Sequence, residues 1–471
     1  MRVHRATYAL AAALCLLAAA CGNGHPAGEN DGGVIAPSDG ATGDGPATTS
    51  DGATLEDAGD AGSTVIPPGS MVTGRVVDTK GSAQGQVTVE IGGVLAVTDA
   101  AGGFSLPAPA STPFSIKLSG KFSTGGFMQT IQTVGMLFTA VDRLDPTLML
   151  PLAASTPTNA NPVSGTITGT LAGLGKPMDA TSTVVISPLG SVGNASVGTY
   201  SLVQRWLKAD AADTSRTVAV SALFWKGFGA SQSFLAYGKS ADVVITAGQT
   251  TPGVTITTAT PTIVQIPGTV AASASLQTVS VSATIALGNA TFAAGARGVT
   301  LAGPTAFSLP VPLMDGAQYD VLLQSNVAAR TTSLLLRRIT PGTDLGAQTL
   351  SDPPALIEPA NASTVPVAGT LLRVQDPESR ARVFSIVSAD ATLFVLTADK
   401  EIAIPDFSML GIAAPSSGTK VDWSVKRYTV ATPAEAVGPL GYAGDRSDRA
   451  AIQPGETYAE ARSETFSFFV Q

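Results

Sequence analysis

The side chains that most often carry nucleophilic or metal chemistry lie at the very start of this chain. Its two cysteines are Cys15 and Cys21, and its two histidines are His4 and His25, so residues 71–471 contain neither type. Serine and cysteine nucleophiles need an imidazole as their base, and zinc sites use thiolate or imidazole ligands. We therefore predict a body without disulfides, metal or cofactor and without enzymatic activity. A hydrolase that uses two carboxylates stays open, because it needs only two acidic side chains at a suitable separation.

The sequence around Cys21 favours attachment to a membrane. An apolar run over residues 6–20 follows two arginines and is too short to cross a bilayer as a helix, which is typical of a secretory signal peptide. The run ends in Leu-Leu-Ala-Ala-Ala-Cys-Gly at positions 16–22, which resembles the lipobox of bacterial lipoproteins. The resemblance implies that residues 1–20 are removed and that Cys21 carries diacylglycerol. It departs from the family at Ala18, where Leu, Val or Ile is usual, and an ordinary signal peptide is the alternative.

The residue after the cysteine bears on where the protein is delivered. Gly22, rather than an aspartate, follows Cys21. In the Gram-negative lipoproteins that the lipobox resembles, this implies passage to the outer membrane. Two acyl chains on one cysteine give an anchor that is essentially permanent, because stable attachment takes two such signals. We therefore expect an exported protein that is held to the outer membrane or cell surface of a Gram-negative bacterium, with the membrane as its partner.

Aromatic side chains between residues 200 and 237 are candidates for stacking on a ligand. Trp206, Trp225 and Tyr237 would stack on sugar rings if they lay on one surface, and an envelope glycan or protein would then be the ligand. The alternative is that these rings pack in a core. Neighbouring side chains of a strand point to opposite faces, so either Phe224 or Trp225 should face solvent or a neighbouring domain.

Two further patterns resemble catalytic or binding motifs. Ser417-Gly418-Thr419-Lys420 matches the Ser-x-x-Lys pattern of penicillin-binding enzymes, but the partner motifs Ser-Asp-Asn and Lys-Thr-Gly are absent, which favours a β-turn. Glu456, Glu460 and Glu464 are spaced four apart and would form an acidic face on a helix. A solvated run of charge is favoured over a short helix there.

The elements that must position these residues are predicted to be short strands. The chain has 50 glycines and 31 prolines, and its apolar residues alternate with period two, as in Val87, Val89 and Ile91. We predict an all-β fold of serial β-sandwich domains, transthyretin-like or immunoglobulin-like, with almost no helix. The net charge is −8 with 13% charged residues and no basic stripe, which argues against nucleic acid as a partner.

The predicted domains begin after a tether. Residues 21–70 are rich in glycine, alanine and aspartate and lack apolar periodicity. Such a stretch cannot bury enough apolar surface to offset the entropy of ordering, so it should be disordered. As a flexible coil it would separate the body from the membrane by roughly 40 Å on average.

The first domain, predicted over residues 71–154, is similar to a known family. Two motifs carry the resemblance, namely TGRVVD at positions 73–78 and TDAAGGFSL at positions 98–106. They resemble the carboxypeptidase regulatory-like domain, which implies a transthyretin-like sandwich that carries no catalytic residues. The residues themselves predict a hairpin, in which the side chain of Asp99 stabilises a turn, Gly102 takes the left-handed conformation and Phe104 returns to the core.

Elements of this pattern return twice and predict two more sandwiches, over residues 162–258 and 262–350. Gly74 is echoed by Gly165 and Gly268. Phe104-Ser105-Leu106 is echoed by Tyr200-Ser201-Leu202 and by Phe307-Ser308-Leu309.

The pattern changes over residues 353–471. GTKVDWSV at positions 418–425 resembles the strand of a fibronectin type III domain that carries core aromatic residues. The resemblance implies that Trp423 is buried between two sheets. Val421 replaces the usual corner tyrosine and a long insert covers residues 431–464, so a general immunoglobulin-like sandwich is expected.

These patterns predict a lipid-anchored cell-envelope protein with a structural, adhesive or binding role. The alternative is a carbohydrate-binding or protein-binding subunit of an envelope complex.

Overall fold

Strands dominate the protein, as the alternation of apolar residues predicts. A computed structural model describes residues 64–78, 81–124, 130–150, 162–192, 195–207, 212–273, 275–288, 290–367, 369–428 and 457–471. These ranges contain 35 strands, short 3₁₀ turns at Gly229–Ser231 and Ser408–Leu410, and no α-helix, so the all-β prediction is confirmed. The predicted signal peptide, Cys21 and most of the predicted tether lie outside the described residues. We refer to residues 64–150, 162–259, 263–350 and 355–471 as units 1 to 4.

Unit 1 has two sheets that enclose an apolar core. Its strands are β1 (Thr64–Val65), β2 (Met71–Val77), β3 (Thr88–Ile91), β4 (Val94–Val97), β5 (Gly103–Pro107), β6 (Ser111–Thr112), β7 (Phe114–Thr124), β8 (Thr130–Val141) and β9 (Thr147–Met149). One sheet has the order β5-β2-β9, and the other runs β4-β3-β7-β8. Ile116 and Leu118 are fully buried, because side chains two residues apart on a strand share a face.

The predicted hairpin before β5 is confirmed. The Oδ1 atom of Asp99 accepts hydrogen bonds from the backbone N–H groups of Ala101 and Gly103, each at 2.8 Å. Gly102 has a φ of +76°, and a Cβ atom there would lie 2.4 Å from the carbonyl oxygen of Val76. Phe104 then enters the core with 6% of its surface exposed. The turn at Asp99, the left-handed Gly102 and the buried ring of Phe104 therefore together determine where β5 begins.

The predicted tether ends before residue 70. Thr64 and Val65 form β1, which pairs antiparallel with β6. Ile66 is 6% exposed and belongs to the core of unit 1. Apolar residues at positions 65 and 66 interrupt the small and polar composition of the tether, and burial of Ile66 favours an ordered chain from this point.

Unit 2 encloses its core with one eight-stranded sheet and one small two-stranded sheet. Its strands are β10 (Pro162–Gly173), β11 (Ser182–Ser187), β12 (Gly190–Val192), β13 (Ala195–Ser196), β14 (Thr199–Leu207), β15 (Ser215–Val218), β16 (Ser221–Lys226), β17 (Ser233–Lys239), β18 (Val243–Thr246) and β19 (Thr250–Ala259). Eight of them pair in the order β12-β11-β16-β17-β19-β10-β14-β13, and β15 pairs with β18. The sheet folds over on itself, since Phe224 of β16 and Leu202 of β14 lie in one core.

Unit 3 shares a three-strand arrangement with units 1 and 2. Its strands are β20 (Ile263–Ala272), β21 (Thr278–Leu287), β22 (Ala290–Thr300), β23 (Thr305–Pro312), β24 (Gln318–Val327), β25 (Arg330–Ile339) and β26 (Ala347–Leu350). Its first strand, β20, pairs antiparallel with β23 and parallel with β26. In the same way β2 pairs with β5 and β9, and β10 pairs with β14 and β19. The recurring sequence pattern therefore corresponds to a recurring arrangement of strands.

An aromatic ring over a glycine marks this arrangement in each of the three units. Gly74 pairs with Phe104, and a Cβ atom on the glycine would lie 2.5 Å from the ring. Gly268 and Phe307 repeat the pair, with a corresponding distance of 2.6 Å. In unit 2 the glycine opposite Tyr200 is Gly169. The expected equivalence of Gly165 with Gly74 is therefore wrong by four residues, although the aromatic partner is the one that the sequence predicts.

Unit 4 contains the expected buried tryptophan. Its strands are β27 (Ala355–Glu358), β28 (Ser363–Val365), β29 (Leu371–Gln375), β30 (Arg382–Val387), β31 (Ala391–Thr397), β32 (Glu401–Ala403), β33 (Lys420–Tyr428), β34 (Thr457–Arg462) and β35 (Phe466–Val470). Trp423 is 1% exposed and lies in a core formed between the β27-β29-β32 sheet and β30, β31, β33 and β35. It stacks on Phe384 with ring centroids 6.5 Å apart and meets Phe466 edge-on at 6.3 Å.

The units are joined by strand pairing in an order that differs from their order in the chain. Residues Thr331–Leu336 of β25 pair antiparallel with Thr457–Arg462 of β34, which joins unit 3 to unit 4. Residues Ala391–Leu396 of β31 pair parallel with Thr133–Phe138 of β8, which joins unit 4 to unit 1. One sheet of 14 strands therefore runs through units 1, 4 and 3. Unit 2 packs on unit 3, so that the spatial order is 1, 4, 3, 2.

Candidate functional site

The three aromatic residues proposed for ligand stacking do not form one exposed surface. Trp206 is 3% exposed and belongs to the core of unit 2. Trp225 and Tyr237 are half-buried and pack against a core that is formed mainly by unit 3. The buried Nε1 of Trp206 and the buried hydroxyl oxygen of Tyr237 have no hydrogen-bond partner among the described residues. These three rings therefore pack in cores, as the alternative interpretation holds. They do not form an exposed surface on which a sugar ring could stack.

Alternation along β16 divides two aromatic rings between two cores. Phe224 is fully buried inside unit 2. Trp225 points the other way and stacks on Phe292 of unit 3, with ring centroids 6.4 Å apart and planes inclined by 21°. The expectation that one of these rings faces a neighbouring domain is confirmed. The same junction holds Gly288 so close to unit 2 that a Cβ atom would lie 2.4 Å from the carbonyl oxygen of Pro188.

A double-mutant cycle tests the contact between units 2 and 3. Trp225→Ala and Phe292→Ala are each expected to lower the free energy of unfolding, and the double variant should lose less than the sum by about 0.5–1.5 kcal/mol, the usual coupling of an aromatic pair. Denaturant unfolding of the four proteins measures this coupling. Val203→Ala, at a position of unit 2 that is 47% exposed, serves as control and should combine additively with Phe292→Ala. Additive losses from Trp225 and Phe292 would contradict the contact.

A buried ionic cluster lies where unit 3 meets unit 4. Asp376 is 3% exposed and accepts hydrogen bonds from Arg382 Nε, at 3.2 Å, and from Arg427 Nη1. Arg382 is fully buried, and Arg427 is 4% exposed. Burial lowers the pKa of the Arg382 guanidinium from its ordinary value, and the facing carboxylate of Asp376 opposes this shift. The guanidinium groups of Arg382 and Arg427 both contact the carboxylate of Asp376.

Arg427 also ties this cluster to the chain that leaves unit 3. Its Nη2 donates to the hydroxyl oxygen of Ser351 at 2.6 Å and to the backbone oxygen of Asp352 at 3.0 Å. Both residues lie between β26 and β27, where one unit ends and the next begins. The guanidinium therefore holds the connection between the units as well as the sheet of unit 4. A planar guanidinium with several fixed donors suits such a role.

A cleft of about 280 Å³ lies beside the cluster, between β25 of unit 3 and β33 and β34 of unit 4. Two carboxylates line it, Glu378 and Glu460. Glu378 forms ion pairs with Arg380 at 2.9 Å and Arg427 at 3.4 Å. Glu460 lies 3.2 Å from the amine of Lys426. Both carboxylates that line the cleft are therefore engaged in ion pairs with arginine or lysine side chains.

The other predicted motifs have structural roles. Ser417 and Gly418 form a turn that is closed by a hydrogen bond from the Thr419 N–H to the backbone oxygen of Ser416 at 3.1 Å, so the predicted β-turn is confirmed. A helix for the acidic residues is wrong, because Glu460 lies within the strand β34. Glu464 pairs with Arg330 of unit 3 at 3.6 Å. Glu456 and Cys21 lie outside the described residues.

The buried arginines belong to no recognised sequence motif, although the alternation of apolar residues along β30 and β33 indicates that they face a core. Arg382 shares a strand face with the buried Phe384 and Ile386. Arg427 lies two residues after Val425, on the face that also carries Trp423. A charged residue in phase with core residues indicates a buried ion pair, since lone buried charges are very unfavourable. The partner, Asp376, cannot be identified in this way because it follows the end of β29.

The described residues contain no group of three or more histidine, cysteine, aspartate or glutamate side chains placed to hold a metal ion. They also contain no helix that is long and apolar enough to cross a membrane.

Comparison with known proteins finds only distant similarity. No protein-family model matches the chain, and no curated protein matches it. A leucine-rich repeat protein from Bacteroides thetaiotaomicron is 11% identical with a TM-score of 0.16, over 40% of this chain and 26% of that one. The Bacillus anthracis TIE protein is 9% identical with a TM-score of 0.14, over 74% and 62% of the two chains. Shaft pilin spaA from Lactobacillus rhamnosus GG is 10% identical with a TM-score of 0.15, over 40% and 97%.

The overlap with these structures is partial as well as weak. The chain spans about a quarter of the leucine-rich repeat protein and less than two thirds of the TIE protein. Similarity at these TM-scores carries no argument about function.

Proposed function

We propose that this protein is a lipid-anchored, non-enzymatic protein of the bacterial cell envelope, whose β-structured body is a rigid support for a binding surface. The observation that carries this proposal is the continuity of one 14-stranded sheet through units 1, 4 and 3. Units connected only by flexible linkers move independently, whereas shared backbone hydrogen bonds and shared cores hold neighbouring units in one orientation. A rigid body suits support and presentation.

The junctions favour this role because they are built like domain interiors. The core of unit 1 includes Val383 and Leu396 of unit 4. Gly135 of β8 leaves room for unit 4, since a Cβ atom there would lie 2.9 Å from side-chain carbons of both Leu393 and Ile412. The Thr139 hydroxyl donates to the backbone oxygen of Leu396 at 3.1 Å, across 257 positions of the chain. Apolar burial and hydrogen bonding together oppose separation of these units.

Attachment through Cys21 is the part of the proposal that depends on the N-terminal sequence. Lipid on this residue would fix the body to a membrane at one point, and the stretch before residue 64 would act as the spacer. Anchoring and rigidity are separate properties, and each has its own test.

Metabolic labelling with a fatty-acid analogue tests the anchor. Cells that make the unsubstituted chain should incorporate the label into the protein, and Cys21→Ser should abolish incorporation, because the thioether bond to diacylglycerol needs the Cys21 sulfur. Cys15→Ser is the matched control, since Cys15 lies inside the predicted signal peptide and should leave labelling unchanged. Label that persists in Cys21→Ser, or that never enters the unsubstituted protein, would show that the anchor is not lipid on this residue.

A further inference from the structure

Strand β4 forms one end of the 14-stranded sheet, and its outer edge is open. Among the described residues it pairs only with β3. Val94, Leu95 and Val97 are 45%, 46% and 57% exposed. The strand contains no charged residue and no proline, although these are the residues with which proteins usually protect a sheet edge from further pairing. An edge of this kind is a template for another strand.

The hairpin geometry identifies the backbone groups that face outward. A two-residue loop, Gly92 and Gly93, joins β3 to β4, with φ values of 57° and 84°. The residues that flank such a loop, Ile91 and Val94, exchange hydrogen bonds with each other. Hydrogen-bonded and non-hydrogen-bonded pairs alternate along an antiparallel ladder. The N–H and C=O groups of Leu95 and Val97 therefore point away from β3, toward the open edge.

We propose that β4 pairs antiparallel with β4 of a second copy of this chain. The register places Ala96 opposite Ala96 on a two-fold axis and Leu95 opposite Val97 on each side. All four outward-facing residues of the two strands then exchange hydrogen bonds. Leucine and valine side chains meet on one face, and the small alanine lies at the non-hydrogen-bonded centre, where strands are closest. The edge is thus complementary to itself, which is the requirement for a two-fold interface.

Two further features favour a second copy as the occupant. The chain already closes sheet edges by strand addition, at β8 with β31 and at β25 with β34, so pairing at β4 continues the same sheet. Glu90 of β3, the strand beside β4, forms an ion pair with Lys117 of β7 at 3.3 Å. Four residues per strand make a small interface, so the expected dimer is weak.

Cysteine trapping tests the register directly, and it suits a weak complex. In the full chain with Cys15→Ser and Cys21→Ser, Ala96→Cys places two thiols across the axis, where Cα atoms of a non-hydrogen-bonded pair lie about 4.5 Å apart, within disulfide range. A disulfide-linked dimer is expected under mild oxidation. Val94→Cys is the matched control, because its two copies would lie about 13 Å apart along the strands. These backgrounds lack Cys21, so the result is independent of lipid attachment.

A second set of variants tests the edge itself. Leu95→Lys with Val97→Lys should abolish the cross-link of the Ala96→Cys variant, because exposed lysines prevent edge pairing without disturbing the core. Val197→Lys, at a position that is 84% exposed in unit 2, should leave the cross-link intact. Sedimentation equilibrium of the full chain with Cys15→Ser and Cys21→Ser, which cannot carry the proposed lipid, should show a monomer–dimer equilibrium.

Three results would overturn the proposal. They are an Ala96→Cys variant that folds but does not cross-link, equal cross-linking of the Val94→Cys and Ala96→Cys variants, and a full chain with only Cys15→Ser and Cys21→Ser that stays monomeric at the highest soluble concentration. Occupation of the edge by residues 22–63 or by a different protein would give the first of these results.

Discussion

Asp376→Ala is expected to lower the free energy of unfolding by about 3–5 kcal/mol, the usual effect of removing one partner from a buried ion pair. The substitution leaves Arg382, which is fully buried, and Arg427, which is 4% exposed, without their common carboxylate. Arg427 keeps its 3.4 Å ion pair with Glu378, but the buried Arg382 loses the ion pair with Asp376, which is far more unfavourable than the loss of one hydrogen bond. Denaturant unfolding followed by circular dichroism measures the loss.

An exposed ion pair provides the control for this prediction. Asp179 and Lys226 lie 3.0 Å apart, with side chains that are 58% and 48% exposed. Asp179→Ala should therefore leave the free energy of unfolding almost unchanged. If Asp376→Ala has an effect as small as this, the cluster at the junction of units 3 and 4 does not hold the units together.

Trp423→Ala is expected to lower the free energy of unfolding by about 3–5 kcal/mol, because it removes a fully buried ring that two other rings contact. Trp423→Phe, which keeps most of the apolar volume, should lose less. The position of unit 4 between units 1 and 3 makes a further outcome expected. Unfolding of unit 4 should spread through the shared sheet, so that the whole body unfolds in one transition at lower denaturant concentration.

Tryptophan fluorescence separates local from shared unfolding in this variant. Once Trp423 is replaced, the remaining tryptophans are Trp206 and Trp225, both in unit 2. Their fluorescence and the circular dichroism of the whole chain should shift together. A fluorescence transition that stays at its original denaturant concentration while the dichroism shifts would mean that the units unfold independently and that the body is not one rigid support.

Local features of the fold can be predicted from the sequence because they depend on neighbouring residues. Alternation predicts the strands, and Asp99 with Gly102 predicts the hairpin that precedes Phe104. The burial of Trp423 is expected only because residues 418–425 resemble a core strand of fibronectin type III domains. The sequence pattern assigns Gly165 instead of Gly169 as the counterpart of Gly74 for a simple reason. In a chain with 50 glycines, the identity of the residue cannot decide which glycine lies beneath Tyr200.

The spatial order of the units cannot be predicted in this way. Pairing of β8 with β31 uses backbone groups that every sequence has, and its partners are more than 250 positions apart, as for Thr139 and Leu396. Neither strand carries a local signal for the other. The same reason explains why the sequence makes Trp225 a candidate for ligand stacking. Alternation indicates that either Phe224 or Trp225 points out of unit 2, but only the structure shows that this residue is Trp225 and that unit 3 covers it.

The place of unit 4 in the sheet has a consequence for biogenesis. A ribosome makes the N-terminal part of a chain first, yet the strands that cover β8 and β25 belong to residues 355–471. Units 1 and 3 therefore keep bare edges throughout most of synthesis, when unpaired strands are prone to aggregate. Newly made chains would need protection during this interval, for example from a chaperone, until the last segment arrives and completes the sheet.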